Sequence, residues 1–416
     1  MGEASWLEVP PQSDFSVHNF PFGIAGISGA SPRVVSRCGD YIIDLRPLAE
    51  AGLIKTPPHL LDQPGLNTLI SRGRQAAGKL RNRLISLFTE DDPSLRDDQQ
   101  LRTKVLIPAS EVEMHLPVSI GDYTDFYSSR EHATNVGSMF RDPNNALLPN
   151  WLHLPVAYHG RASSIVVSGT PIHRPKGQTH PNDSEPPVFG PTKQMDFELE
   201  MAFVVAGETK LGEPIPIEWT EDYIFGLMLF NDWSARDIQK WEYQPLGPFL
   251  AKNFASSVSP WIVTLDALDP FRIKGPQQDP MPLPYLQSSG NRSFDIQLEV
   301  AIQPEGLEPL IVTRSNFKHL YWNMAQQLAH HTVNGCNVRT GDIMASGTIS
   351  GPTSDSYGSM LELTWKGTKP ITLPDGTKRT FIEDGDTVIM HGWAEKDGVR
   401  VGFGEVRNVV VPEARG

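Results

Sequence analysis

Between Met195 and Val205 the chain reads MDFELEMAFVV, and this stretch restricts the fold more tightly than any other. Glu198 and Glu200 alternate with Phe197, Leu199 and Met201, which is the period of a β-strand, so both carboxylates point to one face. Two such groups side by side in so apolar a strand repel each other and resist burial. Either the strand turns an acidic face to water, or a cation compensates the pair. Hard oxygen ligands of this kind suit Ca²⁺ or Mg²⁺. Further along, Asn231, Asp232, Arg236, Asp237 and Gln239 follow directly on the apolar run FGLMLF, and Lys252 comes soon after. Carboxylates beside a set of donors have the composition of a functional site.

The rest of the chain must supply a body for that site. With 416 residues, 39% of them hydrophobic, nine Trp and eighteen Phe, it can fill two domains, or one large and one small. A net charge of −13 argues against nucleic acid as the principal partner. Cys38 and Cys336 are too few for a disulfide framework and lack metal-site spacing, which fits a reducing compartment. The first residues carry no basic-then-apolar leader. Gly2 would suit N-myristoylation, but Trp6 stands where that motif has Ser or Thr. No apolar run reaches the roughly 18 residues of a membrane span. The expectation is a cytoplasmic protein that binds neither nucleic acid nor membrane.

Residues 15–45 read as short strands broken by turns. From Leu66 to Phe88 the apolar residues keep helical spacing, and the basic residues between them (Arg72, Arg74, Lys79, Arg81 and Arg83) read as a solvated face. EDDPSLRDD, residues 90–98, reads as a surface loop. With a boundary near Pro117, residues 1–117 form a small β-rich domain without evident chemistry. The second region, 118–416, opens with Asp125, Tyr127, His132 and Arg141 close together on an expected loop between Gly121 and Gly137. Tyr158, His159 and Arg161 can line a cleft. Helices are expected only at about 220–240 and 317–333, and on the latter the adjacent His330 and His331 must diverge. Thr348 sits among glycines, Glu362 falls in a strand reading MLELTW, and the tail reads as a hairpin. Neither a zincin HExxH, a GxSxG elbow, a P-loop nor a dinucleotide fingerprint occurs in its required context.

Several long blocks occur in fixed order: DYTDFYSSREHATNVG, NWLHLPVAYHGRASSIVVSGTPI, DFELEMAF, NDWSARDIQKWEYQPLGPFLAKNF, SGTISGP and GSMLELTWKGTKP. In these the chain resembles the fumarylacetoacetase (fumarylacetoacetate hydrolase) family over nearly its whole length. The resemblance implies a mainly β (α+β) protein, with a small SH3-like N-terminal barrel and a C-terminal mixed β-sandwich roll. It implies a homodimer acting on a diketo acid. The reaction would be hydrolysis of a carbon–carbon bond of 4-fumarylacetoacetate to fumarate and acetoacetate, the last step of tyrosine and phenylalanine catabolism. On this resemblance Asp125, Glu198, Glu200 and Asp232 hold Ca²⁺, with Mg²⁺ or Mn²⁺ as substitutes. His132 is the base that activates water and Glu362 orients it, while Arg236, Gln239 and Lys252 surround the oxyanion. Tyr127, Arg141, Gln239, Tyr243 and Thr348 contact substrate. A second ion, Mg²⁺, would involve Asp232, Lys252 and a hydroxyl, supplied here by Ser256 where the family has Thr. Other readings are an acylpyruvate hydrolase, decarboxylase or hydratase of the wider superfamily, and a non-catalytic calcium-binding protein.

Overall fold

The protein is described by a computed structural model covering residues 5–27 and 29–414. Gly2, weighed above for acylation, lies outside the described residues. In the N-terminal part the expected short strands form: Phe22–Ile27, Arg33–Cys38 and Tyr41–Asp44, joined by Leu106–Pro108 and Val112–His115. They pair antiparallel as one five-stranded sheet, a small half-barrel in keeping with the SH3-like expectation. Between its third and fourth strands the chain is mostly helical.

The helix expected from Leu66 to Phe88 is two, Asn67–Ile70 and Arg74–Phe88, because Gly73 takes φ +81 between them. Its basic residues are not a solvated face throughout. Arg81 is buried and donates Nε to Asn19 O at 2.9 Å, and Arg74 pairs with Asp266 at 2.6 Å. The acidic 90–98 stretch is not all loop either: Asp92 caps a helical turn, Pro93–Arg96, that buries Leu95.

Among the described residues, the C-terminal part is built on two main sheets, with four two-stranded ones beside them. One holds eight strands, running Ala157–His159, Tyr123–Phe126, Ile343–Ala345, Leu199–Val205, Ile224–Asp232, Ser256–Val258, Ile165–Val167, with Val263–Thr264 paired beside Ile224–Asp232. The other runs Leu310–Asn316, Gln297–Gln303, Thr387–Lys396, Val399–Val411, Ile172–His173. The last two long strands are the expected tail hairpin, turned by Asp397 and Gly398 at positive φ.

The period-two reading of 199–205 decides how these layers stack. Leu199, Met201, Phe203 and Val205 face a core shared with Leu298, Val300, Met390 and Phe403 of the second sheet. Ala202 and Val204 face the opposite core, shared with Phe22, Ile24, Leu84 and Leu87 of the N-terminal part. The large sheet is therefore buried on both faces, which explains why its strands read as near-continuous apolar runs.

Four expectations are corrected, the first of them by that burial. The helix expected at 220–240 is a 3₁₀ turn Ile217–Tyr223, the strand Ile224–Asp232 and then a helix only over Arg236–Glu242. FGLMLF lies in a central strand, where an unbroken apolar run carries no period to tell strand from helix. The expected loop at Asp125–Arg141 is the strand Tyr123–Phe126 followed by a helix, Arg130–Phe140, capped by Ser129. Glu362 is in no strand: Ser359 caps a short helix, Met360–Leu363, that carries it. The 317–333 helix begins later than expected, at Met324, where Asn323 and Gln326 form a capping box. Among the described residues no helix is long and apolar enough to cross a membrane.

Candidate functional site

The large sheet brings four carboxylates to one end of its strands. Antiparallel register sets Leu199 opposite Asn231, so Glu198 and Glu200 arrive beside the C-terminal end of Ile224–Asp232. The parallel pairing of Ile343–Ala345 with Tyr123–Phe126 puts Asp125 opposite Ala345, and Ala345 in turn faces Ala202. Asp125, Glu198, Glu200 and Asp232 each offer an oxygen within 4.8 Å of the others, and all four are buried. The acidic-face alternative for the Glu198–Glu200 pair is thereby excluded.

Compensation is incomplete from within the chain. Lys252 Nζ reaches Glu198 at 2.5 Å and Asp232 at 2.9 Å, and Arg236 pairs with Glu198 at 2.8 Å and Asp196 at 2.7 Å. Burial alone would raise the Glu198 carboxyl, but the ammonium of Lys252 and the guanidinium of Arg236 override it and hold Glu198 far below the usual carboxylate range. Asp125 and Glu200 are pushed well up, first by burial and then by the neighbouring carboxylates. Glu200 Oε2 accepts from Gly347 N at 2.9 Å. Gly347 sits at φ +79, and a Cβ there would lie 2.2 Å from Phe126 O, so only glycine fits. Asp125 Oδ1 and Glu200 Oε1 are buried without a hydrogen-bond partner. Five buried carboxylates (with Asp196) thus stand against two buried cations, and two oxygens aim at nothing. This donor set fits a hard divalent cation.

A second constellation lies against the first. His132 is buried in the first turn of Arg130–Phe140, and its Nδ1 is 2.7 Å from Glu362 Oε2. Glu362 also accepts from Asn135 Nδ2, Ser350 Oγ and Ser359 Oγ, each at 2.9 Å. Burial would raise its carboxyl, but His132 and these donors hold it below the ordinary value. An ionised carboxylate only accepts, so Nδ1 carries the imidazole proton and Nε2 is left bare. The ring of Tyr127 packs edge-on against His132 at 5.2 Å. Once protonated, His132 adds to the charges that lower Glu198, which ties the two constellations together.

Other expected residues sit at varying distance from this centre. Gln239 Oε1 accepts from Arg236 Nη1 at 3.1 Å, Arg236 Nη2 is buried and unpartnered, and so is Thr348 Oγ1. Ser256 Oγ donates to Asp232 Oδ1 at 2.9 Å. Arg141 is exposed, donates Nη2 to Ala146 O at 2.7 Å and acts electrostatically on Tyr127. Tyr243, at 47% exposed, lies just past the Arg236–Glu242 helix and outside the buried centre. Of the cleft residues, only Tyr158 reaches the site, donating to Asp232 Oδ2 at 2.7 Å. His159 and Arg161 do not: His159 packs on His331 and Arg161 donates to Ser163. His330 and His331 diverge as expected, to Tyr285 and Thr124.

Reading the sequence missed Asn135, Asp196, Ser350 and Ser359. Asn135 stands three residues after His132, on the same helix face, and Ser359 precedes Glu362 with capping-box spacing. Asp196 is the preceding step of the Glu198–Glu200 alternation.

Residues 122–411 match the family model described as Fumarylacetoacetate (FAA) hydrolase C-terminal, and residues 18–117 match that described as Fumarylacetoacetase N-terminal. The chain is 54% identical over 413 residues to a protein named Fumarylacetoacetase from Homo sapiens, covering 98% of this chain and 99% of that one. It is 52% identical over 414 residues to one of the same name from Arabidopsis thaliana, covering 98% of each. A solved structure titled fumarylacetoacetate hydrolase, from Exiguobacterium antarcticum, aligns with TM-score 0.53 at 18% identity, over 95% of this chain and all of that one, a likeness of fold.

Proposed function

The chain belongs to the fumarylacetoacetase family, and on that premise we propose how its buried site hydrolyses the carbon–carbon bond of 4-fumarylacetoacetate. The observation that carries the reading is the His132–Glu362 pair, buried at 2.7 Å beside the carboxylate cluster. Bare Nε2 of His132 takes a proton from water, and the hydroxide adds to the ketone carbon at the scissile bond. Glu362 keeps the ring in one tautomer and stabilises the imidazolium. Negative charge then develops on the former carbonyl oxygen. Arg236 Nη2, buried and unpartnered, is a donor ready for it, with Gln239 and Lys252 alongside. As the carbon–carbon bond breaks, fumarate leaves with the new oxygen, and the electron pair goes to the acetoacetate carbon. The proton held on Nε2 is then available to that carbon, so water is consumed and nothing else is. Tyr127, Arg141, Gln239, Tyr243 and Thr348 orient the diketo acid.

Asp125, Glu198, Glu200 and Asp232 would hold Ca²⁺, or Mg²⁺. Bound there, it polarises the substrate's carbonyl groups and stabilises the leaving enolate as a Lewis acid. A second Mg²⁺ at Asp232, Lys252 and Ser256 fits poorly, because the Lys252 ammonium, 2.9 Å from Asp232 Oδ2, has no lone pair to offer a cation. A decarboxylase needs no water-activating base, so the His132–Glu362 pair favours the hydrolase.

Loss of substrate absorbance on adding 4-fumarylacetoacetate reads the activity directly. Dialysis against EDTA is expected to abolish it and Ca²⁺ to restore it. Glu200→Gln should weaken Ca²⁺ binding, read by calorimetry, and turnover together. Unchanged turnover of EDTA-treated protein would remove the metal from the reading.

By the same family resemblance we read residues 1–117 and 118–416 as N-terminal and catalytic domains of a cytoplasmic homodimer in tyrosine catabolism. Sedimentation at the mass of one chain would refute the dimer.

A further inference from the structure

The Glu198–Glu200 alternation starts one step earlier, at Asp196 on the short strand Met195–Asp196, and the reaction as read above leaves this residue unused. Its side chain is fully buried. Oδ2 accepts from Arg236 Nε at 2.7 Å and from Leu361 N at 3.0 Å, and Oδ1 accepts from Met360 N at 2.7 Å. Asp196 therefore touches two parts of the machinery that come from distant segments. One is the guanidinium whose Nη2 is buried and unpartnered. The other is the backbone directly ahead of Glu362, which Ser359 fixes from the other side. Asp196 is not one of the clustered metal-type ligands. Its own place is set by the pairing of Met195–Asp196 with Ser234–Ala235, the bridge directly before Arg236.

We infer that Asp196 is a positioning residue for hydrolysis, fixing Arg236 and the Glu362 segment relative to each other so that oxyanion donor and water-activating pair face the same carbonyl. The inference rests on the roles given to Arg236 and Glu362 above. The geometry makes a specific demand: both carboxylate oxygens receive N–H donors, and one of them receives two. An amide in its place must present an NH₂ group to at least one of those donors. Asp196→Asn therefore keeps the volume and breaks the coupling.

The test is kcat, KM, Ca²⁺ affinity and thermal midpoint for Asp196→Asn, Arg236→Gln, Glu362→Gln and the two double variants that include Asp196→Asn. In Asp196→Asn, kcat is expected to fall about 10²-fold, while KM and Ca²⁺ affinity move less than about threefold. In each double variant the added loss should shrink to less than about threefold, since residues acting as a unit are not additive. Wild-type kcat in Asp196→Asn, or a full independent loss in both doubles, overturns the inference. So does a loss carried by KM, Ca²⁺ affinity and thermal midpoint with kcat preserved, the pattern of a purely structural group. Should Asp196→Asn not fold, Asp196→Glu keeps the charge but shifts the oxygens by one methylene. It is expected to lose at least about tenfold in kcat, and a wild-type value there is equally fatal. If Arg236→Gln and Glu362→Gln themselves turn over normally, the site reading fails and this inference with it. A negative result confined to Asp196 leaves the site reading standing.

Discussion

His132 owes its tautomer to a carboxylate held in place by three further donors. Glu362 receives donors from His132, Asn135, Ser350 and Ser359, so it can neither rotate away nor give up its charge cheaply. Such a pair acts as one device, and that is measurable. His132→Ala should cut kcat by about 10³ to 10⁴, and Glu362→Gln by less. The double variant should be little worse than His132→Ala alone. Strictly multiplicative losses would sink the assignment. Arg236 tests a different property. Nε serves Asp196, Nη1 serves Glu198 and Gln239, and Nη2 is left without a partner, a division that needs a planar fork. Arg236→Lys keeps the charge and loses that geometry. It should cost on the order of 3 kcal/mol in the bond-breaking step with an unchanged thermal midpoint. Near-wild-type turnover would reduce the arginine to a source of positive potential.

The helix Met324–Thr332 shows how one element can serve two surroundings. His330 points to Tyr285 and His331 to Thr124, the neighbour of Asp125. Burial, and then His159, push the His331 imidazole down from 6.5 to about 4. The unfolded chain therefore takes up a proton at a higher pH than the folded one does. Stability from this residue is whole above pH 6.5 and is lost as pH falls toward about 4, below which the loss is complete. Its size is at most about 3 kcal/mol. Urea unfolding of wild type and His331→Gln at pH 7 and pH 4.5 should show a smaller acid-dependent loss in the variant. Equal losses would mean that His331 titrates normally in the fold. Element identity was legible where alternation or turns marked it. The tail hairpin alternates, and the strands from Phe22 to Asp44, packed between two cores, were readable from the turns between them. Ile224–Asp232 is dry on both faces, so its apolar run said only that it was buried.

At the scale of the whole molecule, the large sheet is filling between two cores. Phe225, Met228 and Phe230 face the N-terminal part, and Leu227 and Leu229 face the second sheet. Phe22 pairs with Ile262, while Asp14 accepts from Arg400 and pairs with His391 near the tail hairpin's end. The described part of the N-terminal region thus covers one face of the site-bearing sheet. A fragment of 118–416 exposes that apolar face and should be aggregated or inactive when expressed alone. A monodisperse fragment with full turnover would show that the N-terminal part is dispensable to the sheet.

What the sequence determined by itself follows from local periodicity and chemical type. Alternation placed Glu198 and Glu200 on one face, which left either an acidic face turned to water or a compensating cation. Ordered blocks tied the chain to a family. Tertiary structure alone decided which distant residues meet. Glu362, read as a strand residue, becomes a helix residue because Ser359 caps it and Asp196 holds the amides before it. Asn135 and Ser350 count only once Glu362 arrives between them. The physical reason is range: a period is set by neighbours a few residues away. The partners of a buried charge come from wherever the fold brings a donor, and here the register between strands far apart in the chain chose them.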